Sequence, residues 1–467
     1  MPHAGDQAGS SRTGMPPAGS AAAGSGLSRF RGALAESPPL WWAMLYFFCL
    51  LTGYYVLRPV RDAMGASSDA LAVFPRAWVA WADARGWDLR DFTLQLLFTG
   101  TFLVMLVLQP LYGALVARFP RRVFLPVVYA VFIACLLAFY LAFDRQVPGR
   151  GVAFFIFTAV FNLFAVTVFW SFMADVFDDA HAKRYYGYVG AAGTVGALLG
   201  PAITRTLAER VGVANLLLVS IAFLVACVVC IFRLRPWALK REREHGEASG
   251  EQAIGGSVWA GLRLVWREPL LRGLALLMFT GVGVGTLLYN EQAAIVRHLF
   301  AADAARATTY FANIDLAINL LAITVQLLFT RWLLRQYGVG PALLIPGIVV
   351  LFGFCLLAAS PFPMLVAVVQ VVTRGGEFGL GKPGRETIYT RVPREWRYKA
   401  KAAIDTFVYR TGDVSFVWLH KALSLFGSRI VFVAGAGLAC AFTLSAWRVV
   451  RLQRTLGGAA PPGDMPV

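Results

Sequence analysis

Apolar stretches of about twenty residues recur along this chain from Leu40 to Val450, each long enough to cross the hydrocarbon of a bilayer as a helix. No other feature constrains the fold as much, because a backbone in lipid must satisfy its own hydrogen bonds and so forms helices or closed barrels. Runs of this length specify helices, so the expected class is all-α and polytopic. The spans fall near Leu40 to Leu57, Phe92 to Val116, Val123 to Phe143, Val152 to Met173, Tyr186 to Leu207 and Val213 to Phe232. A second set follows near Leu274 to Ile295, Ala307 to Leu333, Ala342 to Ala359, Met364 to Leu380, Ala402 to Leu419 and Ile430 to Val450.

Composition agrees. The chain is 58% hydrophobic and 15% charged, with mean hydropathy +0.62, against about 25% charged for soluble domains, which excludes an ordinary soluble enzyme. The net charge of +17 would suggest nucleic acid for a soluble protein. In a membrane protein it is first the mark of loops retained on the cytoplasmic side, so no nucleic-acid partner is expected. With both termini inside, about 28 Lys and Arg fall in cytoplasmic segments and about 12 outside, as the positive-inside rule requires.

The chain divides into a disordered cytoplasmic tail (1–38), a six-helix bundle (39–233), a cytoplasmic linker (234–271), a second six-helix bundle (272–452) and a C-terminal tail (453–467). No secretory signal peptide is apparent: the first residues are rich in Ala, Gly, Ser and Pro. The linker carries Lys240, Arg241 and Arg243, then an amphipathic stretch through Trp259, Leu262, Leu264 and Trp266. The six cysteines all fall in apolar spans, and Cys227 and Cys230 are expected to be packing residues on a buried helix. They offer neither a disulfide framework nor a metal site. No cofactor is expected, since there is no phosphate-binding loop and no catalytic constellation; His3, His245, His298 and His420 sit in polar segments or near helix ends.

Two six-helix halves joined by a cytoplasmic loop resemble the plan of the major facilitator superfamily, in which two bundles rock about a mid-membrane site. Gly113-Ala-Leu-Val-Ala117-Arg118-Phe119-Pro120-Arg121-Arg122 is similar to that superfamily's cytoplasmic loop motif, with Ala117 where Asp is usual, and Arg331 to Gly338 is similar to a weaker second copy.

Ionisable groups within spans are costly and normally face one another or a water-filled path, so they are the candidate site. Arg58 and Asp62 stand four residues apart if the first helix continues past Pro59; if it ends there, Arg58 and Arg61 snorkel to the headgroups. Other candidates are Glu291, Asp315, Asp405, Arg410 and Asp413. Arg374 and Glu377, three residues apart, are expected to neutralise each other. Gly187, Gly190, Gly193, Gly196 and Gly200 place small residues along one helix face, a close-packing pattern.

Three segments resemble the ATP:ADP antiporter family, the nucleotide translocases of plastids and intracellular bacteria. These are Tyr55-Val-Leu57-Arg58-Pro-Val-Arg61-Asp62, then Phe169-Trp170 through Ala182-Lys183-Arg184-Tyr185-Tyr186. The third joins Lys382-Pro-Gly-Arg385-Glu386-Thr-Ile-Tyr389 to Lys399-Ala-Lys401-Ala402-Ala403-Ile404-Asp405. The resemblance implies an exchanger of nucleotides or a related organic anion. Arg61 would take the basic position of the first helix, Glu291 the acidic position of the seventh and Lys401 the lysine of the Lys-Ala-Ala-Ile-Asp block. His181 stands where that family has Glu, and Arg410 lies in a segment that replaces its lysine-glycine pattern.

The expected substrate-binding residues are therefore Arg58, Arg61, Lys401, Arg385 and Glu291, with Asp62, Asp315, His181, Asp405 and Arg410 coupling or gating. The protein is expected to be a non-enzymatic, monomeric carrier of the inner membrane, its partners a small anionic substrate and the lipid bilayer. One alternative is a proton-coupled facilitator protonated at Glu291, Asp315 or His181. Another is a receptor or lipid-handling protein that moves nothing.

Overall fold

The computed structural model describes residues 37–118, 121–245, 258–300, 303–390, 392–393 and 396–457. The N-terminal tail through 36, residues 119–120 of the loop motif, the middle of the linker (246–257) and the C-terminal tail from 458 lie outside the described residues, as do the side chains of the motif's Arg118, Arg121 and Arg122.

The described chain is helical, in two sets of six. The first comprises α1 (Pro38–Gly65), α2 (Thr93–Arg118), α3 (Arg121–Asp144), α4 (Arg150–Val176), α5 (Asp179–Val211) and α6 (Val213–His245). The second comprises α7 (Pro269–Phe300), α8 (Ala304–Gln336), α9 (Val339–Ala359), α10 (363–389), α11 (396–424) and α12 (Ser428–Gly457). Among the described residues nine helices are long and apolar enough to cross a membrane. α5, α10 and α11 are more polar, α10 and α11 containing π-helical turns at Glu377–Gly381, Trp396–Ala400 and Ile404–Val408. Helices alternate in direction, so one face of the molecule, here the linker side, carries the start of α1 and of α7, and the far side carries their ends.

The structure decides one open boundary, extends another and shows what fills the α1–α2 connection. Of the two outcomes open at Pro59, α1 takes the longer and runs through the proline to Gly65. Proline removes a backbone donor and disturbs the turn before it, and neighbouring helices supply partners there: Thr204 Oγ1 donates to Val56 O (3.2 Å) and Ser220 Oγ to Gly53 O (3.0 Å). α6 continues to His245, past the expected end at Phe232, because Arg241 donates to the carbonyls of Ala174 (2.6 Å) and Phe177 and so ties its last turns to the end of α4. The α1–α2 connection carries short helices of its own. Helices Ala70–Val73 and Arg76–Asp83 and a 3₁₀ turn at Leu89–Phe92 fill it, against the turn at Gly149, whose positive φ and contact with Pro75 leave no room for a side chain.

Within the first bundle the α5 glycines seat that helix directly on α1: a Cβ on Gly196 would stand 2.5 Å from Phe48 O, and one on Gly193 would strike the Phe47 ring. Gly187 and Gly190 have open space instead. Cys227 and Cys230 are buried free thiols on α6, Cys227 donating weakly to Tyr46 O (3.7 Å). Each bundle has its own apolar core. One further cluster draws from both, joining Ala63, Phe74, Leu94, Leu97 and Phe155 to Ala293, Val296, Phe311 and Val417 at the far side.

Candidate functional site

Four polar residues of the second bundle lie at one level. Tyr289 on α7, Asp315 on α8, Arg374 on α10 and Asp413 on α11 each stand eleven residues from the far end of their helix, about 16 Å down at 1.5 Å per residue. The last two turns of α1 meet this level from the first bundle, because α1 continues beyond Pro59.

The contacts there are ionic. Arg58 Nη1 lies 3.5 Å from Asp315 Oδ1 across the bundle boundary, and its Nε lies 4.0 Å from Asp62 Oδ2. Arg61 pairs with Asp62 (2.6 Å) and lies over the Phe155 ring. Tyr289 Oη donates to Asp62 Oδ1 (3.1 Å), a second link between the bundles. Arg410 stands 3.4 Å from Asp413, which also accepts from Thr286 Oγ1 (3.3 Å). Asp62, Asp315 and Asp413 are buried. A carboxylate at this depth is retained only with a cation or hydrogen-bond donors around it, and the structure supplies both.

Further cross-bundle contacts gather on the far side. Gln95 Nε2 donates to Val417 O (3.2 Å), Trp418 Nε1 to Thr99 Oγ1 (3.1 Å) and Arg297 to Arg90 O (3.0 Å). At mid-depth Asn319 Nδ2 donates to Ala197 O (2.9 Å), tying α8 to α5. With the shared apolar cluster, these contacts join the two bundles on the far side.

The remaining candidates lie elsewhere. Glu291 and His420 are buried, 5% and 7% exposed, and face each other at 2.9 Å between α7 and α11. His420 is therefore not in the polar setting its sequence neighbours suggest. Arg374 and Glu377 do not pair: Glu377 takes Arg385 instead, at 2.5 Å. That pairing follows from the π-helical turn at Glu377–Gly381, which rotates the residues after it and brings Arg385 back over Glu377. Lys401 pairs with Glu386 at 2.6 Å near the linker side, within electrostatic range of Asp405. His181 is exposed at the start of α5. Its backbone N–H donates to Asp178 (2.7 Å) and its Nδ1 lies 2.8 Å from the same carboxylate, so it belongs to a helix cap and not to the central ring.

Arg58, Arg61, Asp62, Asp315 and Arg410 thus gather near one level, whereas Arg385, Lys401 and Asp405 form a separate linker-side group, and Glu291 forms a closed pair. Sequence reasoning missed Tyr289 and His420. A tyrosine or histidine among apolar residues gives no signal of the partner it will meet on another helix. Among the described residues no group of three or more His, Cys, Asp or Glu side chains is placed to hold a metal ion.

Solved structures share this architecture. An autoinhibited peptide transporter of the POT family superposes with a TM-score of 0.58 at 14% identity, covering 92% of this chain and 99% of that one. The nucleoside transporter NupG does so with 0.58 at 12% identity, covering 88% and 99%. A POT family transporter in complex with 5-aminolevulinic acid gives 0.59 at 11% identity, covering 89% and 96%. No curated relative matches by sequence. The family pattern of the Major Facilitator Superfamily matches residues 77–412. A receptor or lipid-handling role is thereby set aside: the chain belongs to the Major Facilitator Superfamily and is a multi-pass membrane transporter, not an enzyme.

Proposed function

We propose that this transporter exchanges an organic anion of the nucleotide class across the inner membrane by alternating access, with both termini on the cytoplasmic side. The observation that carries this reading is the charge of the central level. Arg58, Arg61 and Arg410 stand against Asp62, Asp315 and Asp413, and Arg374 at the same level has no carboxylate in contact, in a low-dielectric setting that strengthens attraction for an anion. The three segments similar to ATP:ADP antiporters support the same substrate class.

The mechanism follows from which contacts an anion displaces. With the bundles joined on the far side, substrate enters from the linker side, past Arg385 and Lys401, which pair with Glu377 and Glu386. At the centre an anion competes with Asp62 and Asp315 for the guanidinium groups of Arg61 and Arg58. Displacing Asp315 from Arg58 breaks the α1–α8 ion pair that joins the bundles, so the loaded carrier reorients. An empty carrier keeps its internal pairs and stays closed. Obligate exchange follows, because reorientation needs an occupant in both directions.

A second reading rests on the buried Glu291–His420 couple, a titratable pair that a proton-coupled facilitator would use. Uptake of labelled ATP into proteoliposomes preloaded with ADP or with buffer separates the two. Exchange predicts uptake that requires internal ADP and survives an uncoupler; uptake that ignores ADP and collapses with the uncoupler supports proton coupling, and no ATP flux in folded protein rejects the nucleotide substrate.

A further inference from the structure

We propose that Arg374, with Gln370 one turn earlier on α10, is the docking point for the oxyanion of the transported solute, a carboxylate or a phosphate; this rests on the anion reading above and assigns it a residue. Every other cation of the central level has a carboxylate in contact: Arg58 has Asp315 and Asp62, Arg61 has Asp62, and Arg410 has Asp413. Arg374 makes no hydrogen bond or ion pair among the described residues, and its Nε is buried without a partner. Its obvious partner, Glu377, is held by Arg385. Gln370 lies on the same helix face, four residues away, and its Oε1 is also buried without a partner.

Buried polar atoms in folded proteins nearly always have partners, so each exception calls for an explanation. Two such atoms on adjacent turns of one helix, at the depth of Asp315 and Asp413, are poised for a ligand. The neighbouring helix is built around the guanidinium. Gly285 of α7 faces it, and a Cβ there would lie 3.0 Å from Arg374 Cζ and Nη2. A cavity of about 20 Å³, room for one water, lies beside Arg374 among α7, α9, α10 and α12, lined also by Gly281, Gly285, Val350, Glu377 and Phe442.

The chemistry selects the ligand. A guanidinium presents parallel N–H donors whose spacing fits two oxygens of a carboxylate or phosphate, and the Gln370 amide adds a neutral contact. Asp315 and Asp413, both within electrostatic range of Arg374, repel a bound anion. They hold affinity to a level that permits release, as exchange requires.

The test is ligand-dependent thermal stabilisation of the purified protein by ATP, inorganic pyrophosphate and citrate. In the wild type at least one anion raises the melting temperature; response to ATP and pyrophosphate alone identifies phosphate, and response to citrate identifies carboxylate. Arg374→Gln is expected to weaken that response at least tenfold in ligand concentration while the ligand-free protein still melts cooperatively. A merely structural arginine would lower the melting temperature and leave the response to the anion unchanged. Arg374→Lys, which keeps the charge without the fork, falls between. If Arg374→Gln yields no folded protein, Gly285→Ala carries the test by crowding the guanidinium and weakening the same response. Wild-type affinity in the folded variants overturns the assignment and leaves the anion reading standing. No response to any anion in the wild type overturns both.

Discussion

Arg58 of α1 places its Nη1 3.5 Å from Asp315 Oδ1 of α8, so one ion pair spans the boundary between the two six-helix bundles. Asp315 Oδ2 is buried without a hydrogen-bond partner, which leaves Arg58 as its main compensation. Asp315→Asn is expected to remove that cross-bundle attraction while retaining shape, and to destabilise the far-closed state by about 1–3 kcal/mol. The check is alkylation of a cysteine introduced on the far-side face of α1: Asp315→Asn should increase its rate several-fold, and an unchanged rate would remove the pair from the gate.

The Glu291–His420 pair supports a different prediction, since both partners lie in the second bundle. His420→Ala leaves a buried carboxyl without its neighbour and is expected to cost about 1–3 kcal/mol. Glu291→Gln keeps a hydrogen-bonding group in place and costs less. Melting of the detergent-purified variants measures the order. Equal loss in both would show that the ionic character of the pair, not its hydrogen bond, holds α7 to α11.

Close packing of α5 on α1 predicts a position-specific effect. Gly196→Val places atoms where Phe48 O already stands at 2.5 Å from a Cβ and is expected to cost about 1–3 kcal/mol by overpacking. Gly187→Ala, with nothing within 4 Å, should be neutral. The glycine run of α5 therefore has two kinds of member, and the melting temperatures of the two variants distinguish them.

The cap of α5 gives a pH dependence. Hydrogen bonds from the His181 backbone N–H and then its side chain hold the Asp178 carboxyl below its ordinary value of 3.8. A carboxyl lowered in the folded state adds stability that is present above the ordinary value and lost as pH falls through the lowered one. Asp178→Ala should therefore cost at most about 1 kcal/mol near neutral pH, the group being well exposed, and the difference from wild type should narrow as pH falls below about 4. Melting of both proteins across that range is the measurement; a gap that stays constant to about pH 3 would contradict the cap.

The two sets of helices were legible because lipid imposes one rule on every span, and about twenty apolar residues satisfy it in only one way. The pairing of charges was not, because it depends on rotation about each helix axis. Arg374 and Glu377 are neighbours on an ideal α-helix, yet the π-helical turn beginning at Glu377 sends that carboxylate to Arg385. Past Pro59 the sequence left two outcomes for Arg58, and what decides between them lies on other helices: Thr204 and Ser220 support the backbone, and Asp315 receives the guanidinium. Asp315 itself was recognisable as an expensive intramembrane acid, but its partner lies more than two hundred residues away in the chain. The α1–α2 connection gave no signal of its short helices, which are ordered by the far-side cluster formed from both bundles.

Opening of the far side is measurable directly. Spin labels at Arg210 and Ser360, exposed at the far ends of α5 and α9 in opposite bundles, report the separation by pulsed electron resonance in a transport-competent, otherwise cysteine-free protein. One short distance is expected without substrate and a second, longer population when ATP is added, with the longer population already present in Asp315→Asn. A single distance unchanged by ATP, in protein that still exchanges it, would contradict a carrier whose far side is closed by the Arg58–Asp315 pair.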